Sequence, residues 1–238
     1  MKPAQPVNRK RFYKSATVAE SGDGGYAVQL DGRPIETPAG KPLIVPTCAL
    51  ASAIAEEWDA QGETIALASL RLTKLANTAI NAVAEKKPEV ADSILKYAAA
   101  DLVCYRATHP AALVAAQASA WDPVLSWIAA KYGAQFLTGS GIAHIAQPPA
   151  SLEALHSAVD ALGAFKLAAL HVMTTLTGSA LIALAHVGGE LDTAAAWAAA
   201  HTDENWQVSQ WGEDFEAVER LKVRRAEFES ASRFFSLS

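Results

Sequence analysis

The chain is organised around the sequence Asp203-Glu204-Asn205-Trp206-Gln207-Val208-Ser209-Gln210-Trp211-Gly212-Glu213-Asp214, which opens its longest predicted polar helix, residues 203–230. This stretch holds two tryptophans, two glutamines and four carboxylates, and it has no basic side chain. An apolar stripe at helical spacing, able to dock on a core, comprises Val208, Trp211, Phe215 and Val218. A different face carries Trp206, Gln210 and Glu213.

A helix that docks through one face seldom needs a large aromatic on another, and tryptophan among polar groups is typical of binding surfaces. The stretch therefore predicts a partner-binding site formed by Glu204, Trp206, Gln207, Gln210, Glu213 and Asp214. A structural interpretation competes with this one. Asp203 or Thr202 can cap the helix, the order of acids before bases suits the helix dipole, and Glu216 can pair with Arg220. These features account for most of the polar residues, but not for two tryptophans on two faces.

The composition indicates a globular protein with no nucleic-acid-binding face. With 238 residues, the chain can form one large domain or two modest ones and can bury a sizeable core. Its net charge of −5 argues against binding nucleic acid, because neutralising phosphates requires a basic face. Cys48 and Cys104 lie far apart in apolar helical patterns, which favours buried free thiols in a reducing compartment over a disulfide. A cytoplasmic location is expected.

Neither a targeting segment nor a membrane span is predicted. Residues 1–10 contain proline and lack an apolar core, unlike a targeting peptide. The run 167–187 has 21 residues without a formal charge, which is long enough to span a membrane. Its two histidines and three threonines favour the buried central helix of a bundle instead. The sequence therefore predicts no membrane insertion.

Short strands are predicted in the N-terminal part. The segment Phe12–Val18 is aromatic and β-branched, Tyr26–Leu30 alternates in polarity, and Asp31-Gly32 is a strong hairpin signal. Residues 64–70 are expected to return to the same sheet. Thr47 is expected to cap the first helix, where Trp58 continues an i+4 row of apolar residues and is therefore expected in the core.

Helical periodicity dominates from Arg71 onward. One stripe comprises Leu72, Leu75, Ala79 and Val83. Asp122-Pro123 is expected to restart or kink a helix, and later helices are expected near residues 151–162, 166–187, 192–201 and 203–230. The sequence therefore predicts an α+β protein, with a small N-terminal antiparallel β domain with one helix at residues 1–70 and an all-helical domain at residues 71–238.

No motif commits the chain to catalysis. Gly40-Lys41 is followed by proline and forms no phosphate loop, and the six histidines are scattered rather than clustered as metal ligands. His201 beside Asp203 and Glu204 is more consistent with a helix-end cap than with an acid–base pair. Asp101 is expected to be buried and paired with a tyrosine or with Arg106. An enzyme that uses Asp101, His201 or Glu204 as an acid–base group in a helical cleft remains the alternative function, and no cofactor is predicted.

Six strings in order resemble one family. They are Arg11-Phe12-Tyr13-Lys14, Leu30-Asp31-Gly32-Arg33-Pro34, Glu57-Trp58-Asp59-Ala60-Gln61, Leu75-Ala76-Asn77-Thr78-Ala79-Ile80, Trp121-Asp122-Pro123, and Asp203-Glu204-Asn205-Trp206-Gln207 with Trp211-Gly212-Glu213-Asp214. The family is that of the assembly chaperones of the F1-ATPase alpha subunit, found in mitochondria and alphaproteobacteria.

The resemblance implies an N-terminal β domain, a C-terminal helical domain and a non-enzymatic function. Such chaperones bind the unassembled alpha subunit, shield the surface that later meets beta, and leave when the hexamer forms. Glu204 matches the family's functional acid. The expected partner is the alpha subunit, and the free chain is expected to be monomeric.

Overall fold

The computed structural model describes residues 9–22, 24–141, 143–212 and 214–238. Antiparallel strands occupy the N-terminal part and helices occupy nearly all of the rest, so the predicted α+β class is confirmed. The backbone forms two compact units. One runs to Glu85 and includes Ser236–Ser238, and the other spans Lys86–Phe235. The domain boundary expected after residue 70 stays a prediction.

The N-terminal unit contains, in chain order, β1 (Arg9–Lys10), β2 (Ala16–Glu20), β3 (Tyr26–Leu30), β4 (Arg33–Pro34), β5 (Ile44–Val45), α1 (Cys48–Asp59), β6 (Thr64–Ile65) and α2 (Arg71–Thr78). A 3-10 turn, Leu67–Ser69, precedes α2, and a π-helix, Ala79–Val83, follows it. The central strand is β3, which pairs with β2 along its length and with β4 and β5 at its two ends. The expected return of residues 64–70 to this sheet is wrong, because β6 pairs with β1 in a separate sheet.

The turn between β3 and β4 confirms the hairpin signal at Asp31-Gly32. Both residues have positive φ, 49° and 79°, which is the type I′ geometry that suits the twist of paired strands. The Asp31 carboxylate accepts the backbone N–H groups of Ser15 and Lys14 at 3.0 Å each, and these bonds hold its pKa below the ordinary value. The expected start of a strand at Phe12 is wrong, since β2 begins at Ala16.

The core of the N-terminal unit lies between the sheet and α1. Val28 of β3 is fully buried, as are Leu50 and Ile54 of the helix that packs on it. Thr47 caps α1 as predicted, because its Oγ1 accepts the Leu50 N–H at 3.1 Å. Trp58, by contrast, is half-buried, so its expected core position is wrong. Its indole N–H must meet an acceptor, and it donates to Thr73 Oγ1 at 3.1 Å at the margin of the core.

A side chain from α1 holds the start of α2. The Glu57 carboxylate accepts the backbone N–H groups of Leu72 at 2.7 Å and Thr73 at 3.0 Å, where α2 has no cap of its own. Burial raises the pKa of Glu57 although these bonds oppose the shift. The stripe predicted after residue 71 is buried, and it consists of Leu72, Leu75, Ala79 and Val83.

The C-terminal unit contains α3 (Lys87–Ala99), β7 (Tyr105–Arg106), α4 (Ala111–Tyr132), β8 (Gly139–Ser140), α5 (Pro149–Asp160), α6 (Ala164–Thr177), α7 (Ala180–Val187), α8 (Thr193–Ala200), α9 (Thr202–Trp211) and α10 (Phe215–Leu237). Helix α7 lies at its centre, with residues 180–185 all buried and with α3, α4, α6 and α8 as neighbours. Strands β7 and β8 form a short parallel pair.

Two of the expected helices are divided in the structure, and α4 continues through the site of an expected restart. The helix expected at residues 166–187 is two helices, because Gly178 ends α6 and Ser179 caps α7 by accepting the Ile182 N–H at 2.9 Å. In the described part of the chain, no helix has the length and apolarity needed to cross a membrane. Helix α4 continues through Pro123, while Asp122 pairs with Arg106 at 2.9 Å instead of capping a new helix. The helix expected at residues 203–230 is likewise divided, into α9 and α10.

The two cysteines are free thiols in different environments. Cys104 is buried, as expected, and burial raises its pKa to about 12. Cys48 is exposed, so the expectation for it is wrong. It is the first residue of α1 and precedes the segment of that helix, from Leu50 onward, that is buried.

Asp101 is a wholly buried carboxylate that holds the start of α7. It accepts hydrogen bonds from Ser179 Oγ at 2.6 Å and from the backbone N–H of Leu181 at 3.0 Å. The expected tyrosine or arginine partner is wrong, because the Arg106 side chain bonds to the Val103 carbonyl and to Asp122. Burial raises the pKa of Asp101 to about 6, although its hydrogen bonds oppose the shift.

We expect Asp101→Asn to change how stability depends on pH. In the wild type, the folded state binds a proton at Asp101 more tightly than the unfolded state, whose pKa lies near 3.8. Wild-type stability relative to the variant should therefore fall as pH rises from about 4 to about 6, by on the order of 1–3 kcal/mol, and stay level above that range. Urea unfolding of both proteins across this range measures the difference, and parallel profiles would contradict the assignment.

Candidate partner-binding surface

Helix α9 is fixed to the fold through its first turn. Of its residues, all of which the structure describes, Thr202 alone is buried, and its Oγ1 donates to the Ala199 carbonyl at 2.9 Å. The Asp203 carboxylate accepts Gln117 Nε2 of α4 at 2.7 Å. The expectation that Asp203 or Thr202 caps α9 is therefore wrong, since both side chains bond to other elements and His201 occupies the cap position.

The His201 side chain closes the preceding helix, as predicted. It is buried, its Nδ1 lies 2.8 Å from the Trp197 carbonyl, and its ring lies 4.0 Å from the Trp197 ring. Trp121 of α4 donates its indole N–H to the Ala199 carbonyl at 2.7 Å. These bonds hold the junction of α8 and α9 in place.

Three of the four residues of the predicted apolar stripe are exposed and the fourth, Val218, is half-buried, so the expected docking of this stripe on a core is wrong. Val208 is 40% exposed, Trp211 75% and Phe215 78%. Helix α9 ends at Gly212, whose φ of 87° and ψ of 177° lie in a region that is essentially confined to glycine. Because the chain leaves the helix between Trp211 and Phe215, the stripe does not continue as one face of a single helix.

The two tryptophans form one aromatic pair. Trp206 and Trp211 were expected on two faces, but their rings meet edge to face with centroids 5.8 Å apart. Trp206 is half-buried, whereas most of Trp211 is exposed. Together with Val208 and Phe215 they constitute what we call the aromatic surface.

The polar residues predicted for the site differ in their bonding. The carboxylate of Glu204 and the amide of Gln207 are exposed and make no hydrogen bond or ion pair within the described residues. Gln210 donates to Ser209 Oγ at 3.1 Å, and Asp214 accepts the Glu216 N–H at 3.0 Å, which makes it a cap of α10. Glu213 lies outside the described residues.

The first half of α10 extends the exposed region, and the second half packs on the fold. Val223 is an exposed apolar residue that was not predicted as part of the site. The expected pair of Glu216 with Arg220 is present at 3.5 Å. Phe228 and Phe234 are fully buried.

The sequence did contain a signal for the break between α9 and α10. Gly212 is a helix-stop residue, and Asp214, two positions later, is an acidic residue suited to cap the next helix.

The residues of the alternative enzyme do not form a common site. Asp101 and His201 are buried in separate hydrogen-bonded positions, and Glu204 is exposed. Among the described residues, no hydrogen bond or ion pair joins any two of the three, and no cluster of side chains could hold a metal ion. The structure therefore does not bring Asp101, His201 and Glu204 together in one site.

Known proteins resemble this chain in sequence and structure. Atp12 from Paracoccus denitrificans is 41% identical, with a TM-score of 0.91 over 96% of this chain and 97% of that one. A mutant form of P. denitrificans Atp12p matches with 40% identity and a TM-score of 0.91 over the same shares. The Atu1473 protein from Agrobacterium tumefaciens is 44% identical, with a TM-score of 0.92 over 96% of this chain and 85% of that one. The model of the ATP12 chaperone protein family matches residues 10–129. The resemblance found in the six strings is thereby confirmed, and the chain belongs to the ATP12 chaperone family.

Proposed function

We propose that this chain binds the unassembled alpha subunit of F1-ATPase, shields the surface that alpha later presents to beta, and releases alpha when the F1 sector assembles. Membership of the ATP12 chaperone family supports a chaperone function. The proposal further assigns the aromatic surface and Glu204 as the site that contacts alpha. The free chaperone is monomeric in this account, since self-association through Trp211 would compete with alpha.

The observation that carries the proposal is the exposure of the aromatic surface. Large apolar side chains grouped on a monomer's surface mark sites of interaction with other proteins. Tryptophan is the residue type most enriched among those that dominate binding energy. Trp211 contributes little to the fold through burial, yet Trp206 orients its ring by an edge-to-face contact. An ordered and exposed tryptophan is suited to fill a pocket on another protein.

The charge beside the aromatic surface indicates the complementary chemistry on the client. Glu204 lies one helical turn before Val208 and has no cation paired with it in the described chain. Gln207, one turn before Trp211, is also exposed. A client surface with an apolar pocket and a basic group on its rim would meet both features. Rim charges of this kind mainly accelerate encounter and suppress wrong partners.

The absence of a nucleotide-binding motif in the sequence suggests that binding and release follow mass action. A subunit that awaits its partner exposes an interface with an apolar core, which favours aggregation. A chaperone that covers this interface lowers the concentration of the exposed form, and a partner that binds the same surface more tightly displaces it. Protection should therefore be stoichiometric and independent of ATP.

Two substitutions should separate binding from folding. Glu204→Gln and Trp211→Ala alter exposed side chains, so each should change the free energy of unfolding by less than about 1 kcal/mol. Trp211→Ala should weaken binding to alpha by about tenfold or more, because it removes the proposed apolar anchor. Glu204→Gln should slow association and reduce its dependence on salt. Surface plasmon resonance with immobilised alpha measures both effects.

Matched controls are available elsewhere on the chain. Glu153 is an exposed acid on α5 and Leu137 is an exposed apolar residue, so Glu153→Gln and Leu137→Ala change similar groups outside the proposed site. Both controls should bind alpha like the wild type. If the controls and the site variants bind alpha equally well, the aromatic surface and Glu204 are not the contact site.

Displacement by beta tests the release step. An alpha–chaperone mixture is run on a sizing column with and without beta, in the absence of ATP. Because beta claims the same alpha surface in this account, the chaperone should elute alone once beta is added. Retention of the chaperone in an assembled alpha–beta hexamer would contradict shielding, even if binding to alpha is confirmed.

A further inference from the structure

The N-terminal unit carries a groove that the proposed function does not use. It consists of two adjoining cavities of about 640 and 540 Å³, which share Arg9, Ile35, Glu36, Trp58 and Leu67 as lining residues. Phe12 lines the first cavity and Asn77 the second. Each volume falls in the range of ligand-binding clefts, and the two together form an elongated site.

Aromatic side chains form the apolar part of the groove. Phe12 and Leu67 are 70% and 59% exposed, so neither contributes substantially to the core. The Phe12, Tyr13 and Trp58 rings meet edge to face in sequence, with centroids 5.4 and 5.7 Å apart. Trp58 is further held by its bond to Thr73. These aromatic side chains are therefore held in place without a partner, which lowers the entropic cost of binding one.

Most of the charged side chains that line the groove are basic. Arg9, Arg33 and Lys74 are exposed lining residues, and none forms an ion pair with another residue that the structure describes. Two acidic residues, Asp31 and Glu36, also line the groove. The Asp31 carboxylate accepts the backbone N–H groups of Lys14 and Ser15, so Glu36 alone has an exposed carboxylate without a partner among the described residues. An occupant with negative charges near its apolar groups would match this arrangement.

An unsatisfied polar atom lies at the same site. The side-chain oxygen of Asn77 is buried and has no hydrogen-bond partner in the described structure. Buried acceptors are nearly always paired, and an unpaired one is costly. A donor from an occupant of the second cavity, accompanied by a small movement of the amide, would satisfy it.

We propose that this groove binds an extended segment of a partner polypeptide that carries large apolar side chains flanked by acidic residues. The apolar side chains lie against Trp58, between Phe12 and Leu67, and the acids face Arg9, Arg33 and Lys74. Two open, adjoining cavities suit a chain better than a small molecule, which binds in sites that bury most of its surface. None of the lining residues belongs to α9 or α10, so a test of this groove does not depend on the proposed function.

Fluorescence anisotropy with a labelled synthetic peptide tests the proposal. The peptide alternates Phe and Leu with Asp and Glu, and a second peptide has Lys in place of the acids. The full-length protein should bind the acidic peptide, with affinity that falls as salt is raised. Phe12→Ser, Leu67→Ser and Arg33→Glu should each reduce that affinity by about tenfold or more, because each removes a proposed contact. The basic peptide should bind far more weakly.

The controls distinguish this groove from the aromatic surface. Leu137→Ser and Lys131→Glu alter exposed residues of the other unit, and both variants should bind the acidic peptide like the wild type, as should Trp211→Ala. Thermal unfolding verifies that each variant is folded. Absence of binding, equal binding of the two peptides, or equal binding by the groove variants would overturn the proposal. A dimer in sedimentation experiments that Leu67→Ser dissociates would also overturn it, because the occupant would then be a second copy.

Discussion

The arrangement of the aromatic surface depends on one backbone constraint, the glycine at position 212. Its φ of 87° and ψ of 177° end α9 directly after Trp211, in a conformation that a side chain at this position would strain. If the helix continued, Trp211 and Phe215 would lie one turn apart on one face. The break instead places them at the end of one helix and the start of the next. Asp214 then caps α10 by accepting the Glu216 N–H.

Polar contacts fix this region and leave its apolar side chains unburied. Thr202, Asp203 and His201 all form hydrogen bonds to neighbouring elements, while the residues that follow them in α9 are exposed or half-buried. In most surface helices the apolar stripe does the docking. Here the opposite holds: polar contacts keep α9 in place, and Val208 and Trp211 stay exposed.

Predictions from sequence succeeded where the causes were local. Asp31-Gly32 built its turn and Thr47 capped α1, because each signal acts within a few residues. They failed where a side chain's partner lies far away in the sequence. Nothing near Asp101 in sequence indicates its bond to Ser179. Asp203 was expected to cap α9, but its carboxylate accepts a hydrogen bond from Gln117 instead. Helical spacing placed the apolar stripe on one face, but it could not show that Val208, Trp211 and Phe215 are exposed in the folded chain.

Hydrogen–deuterium exchange on the complex with alpha tests the central claim most directly, namely that the aromatic surface is where the client binds. Amide exchange is compared along the whole chain for the free protein, for its complex with alpha, and after beta is added. The account predicts slower exchange across α9 and the first half of α10 in the complex, and a return to the rates of the free chain with beta. Unchanged exchange in these helices, with protection confined to another part of the chain, would contradict it.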